Sequence, residues 1–174
     1  MDGAHAYAHS RCMSIRDVIL LVEDSETDRQ LTVRELRRFG VGNEIVCAES
    51  GLHALDYLFG TDGLGMPTPR PLVVLLDLSL PMVDGVAVLR RVRSDLRTKP
   101  LPVLVLTGAQ CDADALQCYT LDADYVLRKP FDVHEWHRMM RRLDLLPRVE
   151  WRPDTWDWLV RADRSAVSCA RPRA

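Results

Sequence analysis

Five short apolar runs punctuate the chain: DVILLVED (17–24), EIVCAES (44–50), PLVVLLD (71–77), LPVLVLT (101–107) and ADYVLRK (123–129). Three of them are continuous Val- and Leu-rich stretches, without the alternation of a strand that has one wet face. A strand reads that way when both faces are covered, as in a parallel sheet. Segments with helical spacing lie between the runs. Leu31, Leu36 and Phe39 recur among charges from Thr27 to Phe39, and Gly40 and Gly42 close that segment. Ser50 is placed to cap a helix from Leu52 to Phe59, and Asp84 to cap one carrying Val86, Leu89 and Val92. Asp112 precedes Ala113, Leu116 and Tyr119, and Asp132 precedes Val133, Trp136, Met140 and Leu143.

Strand and helix thus alternate five times, which predicts an α/β fold with right-handed crossovers. Over residues 17–146 the closed solution is a flavodoxin-like (βα)5 three-layer sandwich, its parallel sheet in the order 2-1-3-4-5. Residues 1–16 read as a flexible N-terminal tail. Residues 147–174 form a C-terminal extension, an arm with Trp151, Trp156 and Trp158 that then dissolves into Ser, Ala, Arg and Pro. The loop GTDGLGMPTPRP (60–71) is too dense in Gly and Pro for helix or strand.

Composition removes several classes of function. The formal charge is −2, so no global basic field exists to hold nucleic acid or an anionic membrane. No apolar run approaches the ~20 residues that span a bilayer. The start, MDGAHAYAHSRCMSIRD, has no apolar core of a secretory signal. The 5 cysteines are odd in number and show no CxxC spacing, which reads as reduced thiols. The expectation is a cytoplasmic protein with neither a nucleic acid nor a membrane as partner.

In an open α/β sheet, ligands bind beyond the carboxyl ends of the strands. What each apolar run ends in is therefore informative. The first ends in Glu23 and Asp24, the third in Asp77, the fourth in Thr107 and the fifth in Lys129-Pro130. Each alone is merely a polar residue ending a strand; five on one rim are a constellation. Crowded carboxylates repel, and ionising all of them calls for a cation. Hard oxygens suit Mg2+, which keeps several waters and takes one or two carboxylates plus a phosphate oxygen. Lys129 adds positive charge and Thr107 a hydroxyl donor, so the ensemble suits a phosphoryl group arriving at a carboxylate. Asp77 is the expected nucleophile because it ends the central strand.

The stretches LLVEDS, LLDLSLPMVDG, VLVLTG and RKPF, in that order and strand context, resemble the receiver domain of two-component response regulators over about residues 17–146. The resemblance implies that Asp77 accepts a phosphoryl group from a histidine kinase. It implies Mg2+ bound by Asp24, Asp77 and the backbone carbonyl of Ser79, with Glu23 acting through a metal water. Thr107 and Lys129 would hold the phosphoryl oxygens, Gly108 would leave them room, and Pro130 would follow a cis peptide bond. The stretches GLHALDYLFG, LDLSLPMVDG and RSDLRTKPLPVLVLT, with the long Gly/Pro loop, are similar to the small single-domain regulators that partner phytochrome-type kinases. Nothing suggests a bilin site, so any photochemistry belongs to the kinase.

One position departs from the family. Receivers usually carry Tyr or Phe three residues before the lysine, where this chain has Val126. Tyr125 next door faces the other side of the strand and cannot replace it. Small residues at Ser79 and Ala109 imply a phosphorylated state open to water. Other constellations favour bland readings. Ser79 stands where aspartate phosphatases carry a second Asp, and no phosphate-binding Gly-rich motif follows the first strand. His5, His9, His134 and His137 read as solvated histidines. Arg37-Arg38, Arg90-Arg91 and Arg141-Arg142 fall at helix ends, where cations suit the macrodipole.

The tail after Leu146 is too short for a DNA-binding output domain. Its tryptophans either fold back on their own domain or build a homodimer, and the dimer is the favoured expectation. Trp151, Trp156 and Trp158 would then be contacts, with Tyr119 and Trp136 from helices predicted over 112–122 and 132–146. The function expected is a phosphate-accepting switch, not an enzyme with a diffusible substrate. A receiver-fold scaffold, dimerising or docking a kinase without phosphate, is the alternative.

Overall fold

The computed structural model describes residues 17–60, 70–108 and 122–152. The predicted tail 1–16, the heart of the loop after residue 60, the helix expected after Asp112 with Tyr119, and Trp156 and Trp158 lie outside these. Strands β1 (Val18–Val22), β2 (Ile45–Ala48), β3 (Pro71–Asp77), β4 (Val103–Thr107) and β5 (Tyr125–Arg128) form one parallel sheet of order β2-β1-β3-β4-β5. This is the order the alternation predicted. Helices α1 (Glu26–Arg38), α2 (Gly51–Phe59), α3 (Gly85–Ser94) and α4 (Val133–Arg142) cover it.

The apolar runs of β1, β3 and β4 are buried along their whole length. Successive side chains point to opposite faces, so each run feeds two cores at once. Leu20, Val22, Val74, Leu76, Val103 and Val105 pack with α2 and α3. Ile19, Leu21, Val73, Leu75, Leu104 and Leu106 pack with α1 and α4. β5 obeys the same rule: Val126 belongs to the first core and Tyr125 to the second, under the Arg142 guanidinium at 5.9 Å.

Ser50, Asp84 and Asp132 cap their helices through side-chain oxygens, as expected. α1 starts before Thr27 because Ser25 caps it, accepting from the Asp28 amide. Its inner face is then set by Thr32 and Leu36, and Leu31 is left 43% exposed. Gly40, at φ 87°, turns the chain after α1 in a conformation that side chains with a Cβ disfavour.

One expectation about the tryptophans is corrected. Trp136 is fully buried, stacked on Phe131 with ring centroids 6.3 Å apart, so it cannot meet a second copy. The apolar stripe of α4 is its core face, and a residue at helical spacing with Val133 and Met140 must follow that face inward. Trp151 packs against its own domain. A short antiparallel bridge joins it to Val41, its ring lies 5.5 Å from His137, and the Arg152 amide donates to Gly40 O. The root of the arm therefore takes the fold-back placement.

Asn43 explains why. Fully buried, it donates to Asp17 O (2.9 Å) and Arg148 O (3.3 Å) and accepts from the Glu150 amide (2.8 Å). Arg148 pairs with Asp17 across the same junction. A Cβ on Gly42 would stand 2.8 Å from Glu150 O, so only glycine admits this approach.

Candidate functional site

Strand register builds the site. Val22 pairs with Leu76, Asp77 with Leu106, and Thr107 with Arg128. Residues at or one step beyond the carboxyl ends of β1, β3, β4 and β5 are therefore neighbours: Glu23, Asp77, Thr107 and Lys129. The Lys129 amide donates to Thr107 O at 2.8 Å, which carries the chain into the cis Lys129-Pro130 peptide.

The Lys129 ammonium bridges Glu23 Oε2 and Asp77 Oδ2, with Asp28 Oδ2 a third carboxylate 4.0 Å away. The second oxygen of each carboxylate is also held. Asp77 Oδ1 accepts from the Ser79 amide at 2.7 Å, and Glu23 Oε1 from the Ser25 amide at 3.2 Å. Glu23 is 1% exposed, Thr107 8% and Asp77 9%, whereas Asp24 stands exposed at the rim. A Cβ on Gly108 would meet nothing within 4 Å, which leaves open space beside Thr107.

Burial pushes the Glu23 carboxyl up from 4.5 to about 6, against the pull of Lys129 and with the help of the Asp77 charge. Burial alone would lower the Lys129 ammonium, but the hydrogen bonds and charges of Asp77 and Glu23 outweigh it and raise its pKa. The site is thus a buried carboxylate pair that tolerates its own charge only with a cation between its members.

That chemistry fits a hard divalent ion. Among the described residues, no three Asp, Glu, His or Cys side chains close into a ready cage. An ion that keeps most of its waters does not need one, since one or two carboxylates suffice. Glu23 and Asp77 supply hard oxygens whose negative charge Lys129 now answers, and Asp24 and Ser79 flank them.

Of the predicted site residues, the structure brings Glu23, Asp77 and Lys129 into contact, with Thr107, Ser79 and Gly108 alongside. Asp24 stands exposed beside Glu23, with no hydrogen bond or ion pair to them among the described residues. Three further contributors fall outside the sequence reading. Asp28 and Arg29 looked like part of a solvated helix face. Gly85 packs so closely beneath the site that a Cβ would stand 2.2 Å from Asp77 O. A glycine one past the predicted Asp84 cap was the available hint.

Residues 19–141 match the family profile described as "Response regulator receiver domain". The chain is 36% identical over 126 residues to "Probable methanogenesis regulatory protein FilR2" of Methanothrix harundinacea (strain 6Ac), covering 72% of this chain and 80% of that protein. It is 33% identical over 127 residues to "Response regulator Rcp1" of Synechocystis sp. (strain ATCC 27184 / PCC 6803 / Kazusa), covering 73% and 86%. An Mn(2+)-bound form of Rcp1 superposes with a TM-score of 0.59 at 31% identity, over 75% of this chain and 93% of that one. "Bacteriophytochrome response regulator RtBRR" superposes with a TM-score of 0.66 at 31% identity, over 91% of this chain and 99% of that one.

Proposed function

This chain belongs to the response regulator receiver domain family, and from that premise we propose that it is a phosphoryl-accepting switch. Asp77 receives its phosphoryl group from a histidine kinase with the help of Mg2+. One observation carries the reading: the Asp77 carboxylate ends the central strand, paired with Lys129 on one oxygen and with the Ser79 amide on the other, beside buried Glu23.

A carboxylate oxygen of Asp77 attacks the phosphorus of a phosphohistidine. The P–N bond breaks, its electron pair stays on the imidazole nitrogen, and that nitrogen takes a proton from water. Asp24, Asp77, the Ser79 carbonyl and, through water, Glu23 would hold the metal ion, which supplies positive charge against the phosphoryl oxygens. Lys129 pairs with one of those oxygens, Thr107 donates its hydroxyl to another, and Gly108 leaves space for them. Hydrolysis of the acyl phosphate resets the switch, and no diffusible substrate is turned over.

The likeness to RtBRR, a bacteriophytochrome response regulator, supports a phytochrome-type kinase as the donor, and with it a cytoplasmic setting. Homodimer formation through the arm would draw on residues 153–174 with Trp156 and Trp158, since Trp136 is fully buried in its own domain. Sedimentation of the full chain beside one ending at Arg152 tests that part, and the same number of subunits in both removes it.

The central test is intact mass after incubation with Mg2+ and acetyl phosphate, beside an Asp77→Asn control. One phosphoryl group on the parent and none on the control is the expected result. Failure with acetyl phosphate and also with a phosphorylated phytochrome-type kinase would refute the switch and leave the scaffold reading.

A further inference from the structure

The acidic rim hangs from a corner of the chain, Glu23 to Ser25, that must leave β1 and enter α1 within three residues. Backbone and side chain of Glu23 are tied down at four points. Its amide donates to Ala48 O (3.0 Å), Oε1 accepts from the Ser25 amide, and Oε2 takes the Lys129 ammonium. The fourth tie comes from a side chain outside every motif: Arg29 Nη1 donates to Glu23 O at 3.0 Å. The other arm of the same guanidinium, Nη2, lies 3.4 Å from Glu49 Oε1, just beyond β2, and the Arg29 side chain is only 15% exposed.

The carbonyl of Glu23 and the amide of Asp24 share one rigid plane. A donor that fixes the oxygen fixes that plane, and hence the direction in which Asp24 leaves the strand. Arg29 is well shaped for this, since its planar fork spans two acceptors in a set geometry, where an ammonium acts as a point charge. We propose that Arg29 is a positioning residue for divalent-cation binding, holding the Glu23–Asp24 peptide so that both carboxylates face the ion. The inference rests on reading the acidic rim as a divalent-cation site. It separates cleanly from a purely electrostatic role, because the two predict opposite signs. A positive charge near a cation site weakens the ion, so removing it would tighten binding; losing a positioning bond loosens it.

The experiment is calorimetric titration of the full chain with Mg2+, for the parent, Arg29→Met, Arg29→Lys and Glu49→Gln, with urea unfolding in chelator on the same samples. Arg29→Met is expected to raise Kd about tenfold, the lower range for supports that orient metal ligands. Arg29→Lys should fall between, and Glu49→Gln should stay within about twofold, since the carbonyl bond survives it. At saturating Mg2+, phosphoryl gain from acetyl phosphate should return in Arg29→Met to within about twofold of the parent, a pattern that general loss of structure does not produce. Equal or tighter Mg2+ binding by Arg29→Met overturns the proposal, as does a loss in Glu49→Gln as large as in Arg29→Met. Should Arg29→Met not fold, Arg29→Lys decides alone: an unchanged Kd overturns the inference and a several-fold rise supports it. A parent that binds no Mg2+ refutes the metal reading itself, and it does so before any variant is compared.

Discussion

Glu23→Gln is the sharpest probe of the carboxylate pair. In the folded chain the Glu23 carboxyl sits at about 6, above its ordinary 4.5, because it is buried beside Asp77. A group whose folded value is raised binds more protons folded than unfolded, so its contribution is fully present below 4.5 and is lost as pH rises through 6. A rise of that size corresponds to about 2 kcal/mol, at about 1.4 kcal/mol per tenfold. Glutamine keeps the shape and cannot titrate. The unfolding free energy of Glu23→Gln minus that of the parent should therefore climb by about 2 kcal/mol between pH 4.5 and 7.5. The assay is urea unfolding followed by far-ultraviolet circular dichroism at several pH values, with chelator present throughout. A difference constant with pH, or one that falls as pH rises, would refute the claim that burial and Asp77 hold this carboxyl up. Adding Mg2+ at pH 7.5 gives the converse: the parent gains stability with ligand concentration by mass action, and the variant gains less.

Other outcomes follow from packing. Trp136→Ala should cost about 3–5 kcal/mol in urea unfolding, the range for emptying a large aromatic site. Trp136→Phe should cost under about 2 kcal/mol, because the indole Nε1 has no partner among the described residues and its loss forfeits no bond; equal costs for the two would sink that argument. Gly85→Ala places a Cβ 2.2 Å from Asp77 O, so it should lower both the unfolding midpoint and the phosphoryl gain measured by mass. Asn43→Ala leaves Asp17 O, Arg148 O and the Glu150 amide without their partner and should destabilise by about 2–3 kcal/mol. Its Mg2+ affinity should match the parent's by calorimetry.

The fold was legible where burial is two-sided. LLV, LVVLL and VLVL leave no choice of face, so β1, β3 and β4 were placed with their ends, and the ends carried Glu23, Asp77 and Thr107. Helices were harder. Spacing tells that a helix has an inner face, but Leu31 and Thr32 are neighbours, and the cap at Ser25 rather than the leucine spacing decides which one turns in. Trp136 illustrates the same limit. A tryptophan on an amphipathic helix fits a core or an interface equally well until the partners Phe131 and Met140 are in place. Arg29 and Asp28 were invisible for a physical reason too, since charges in a first helical turn are commonplace on a wet surface. Their role depends on which loop carbonyl and which ammonium come within reach, and that is tertiary information.

Asn43 lies at the other end of the molecule from Asp77, and this bears on how a signal could leave the domain. β1 starts beside Asp17, which Asn43 holds, and ends beside Glu23, which Lys129 holds. The five residues of β1 between them span roughly 17 Å at about 3.3 Å per residue. The arm is fixed at Glu150 and Arg152 to the turn at Gly40–Asn43, so it departs from the amino ends of the strands, the face away from the carboxylates. A phosphoryl group on Asp77 therefore has no direct contact with the arm's root. Any effect on the arm must travel through the elements that span the sheet, and α4 is one of those that touch both ends, beside β1 and α1, whose Arg37 donates to Val41 O and Asn43 O. α4 follows the cis peptide at Lys129 and carries His137 against Trp151. An Asn43→Ala chain thus separates two properties that a switch acting by contact would join: it loosens the root of the arm, which keeps its backbone bonds to Gly40 and Gly42, while leaving the phosphoryl chemistry intact.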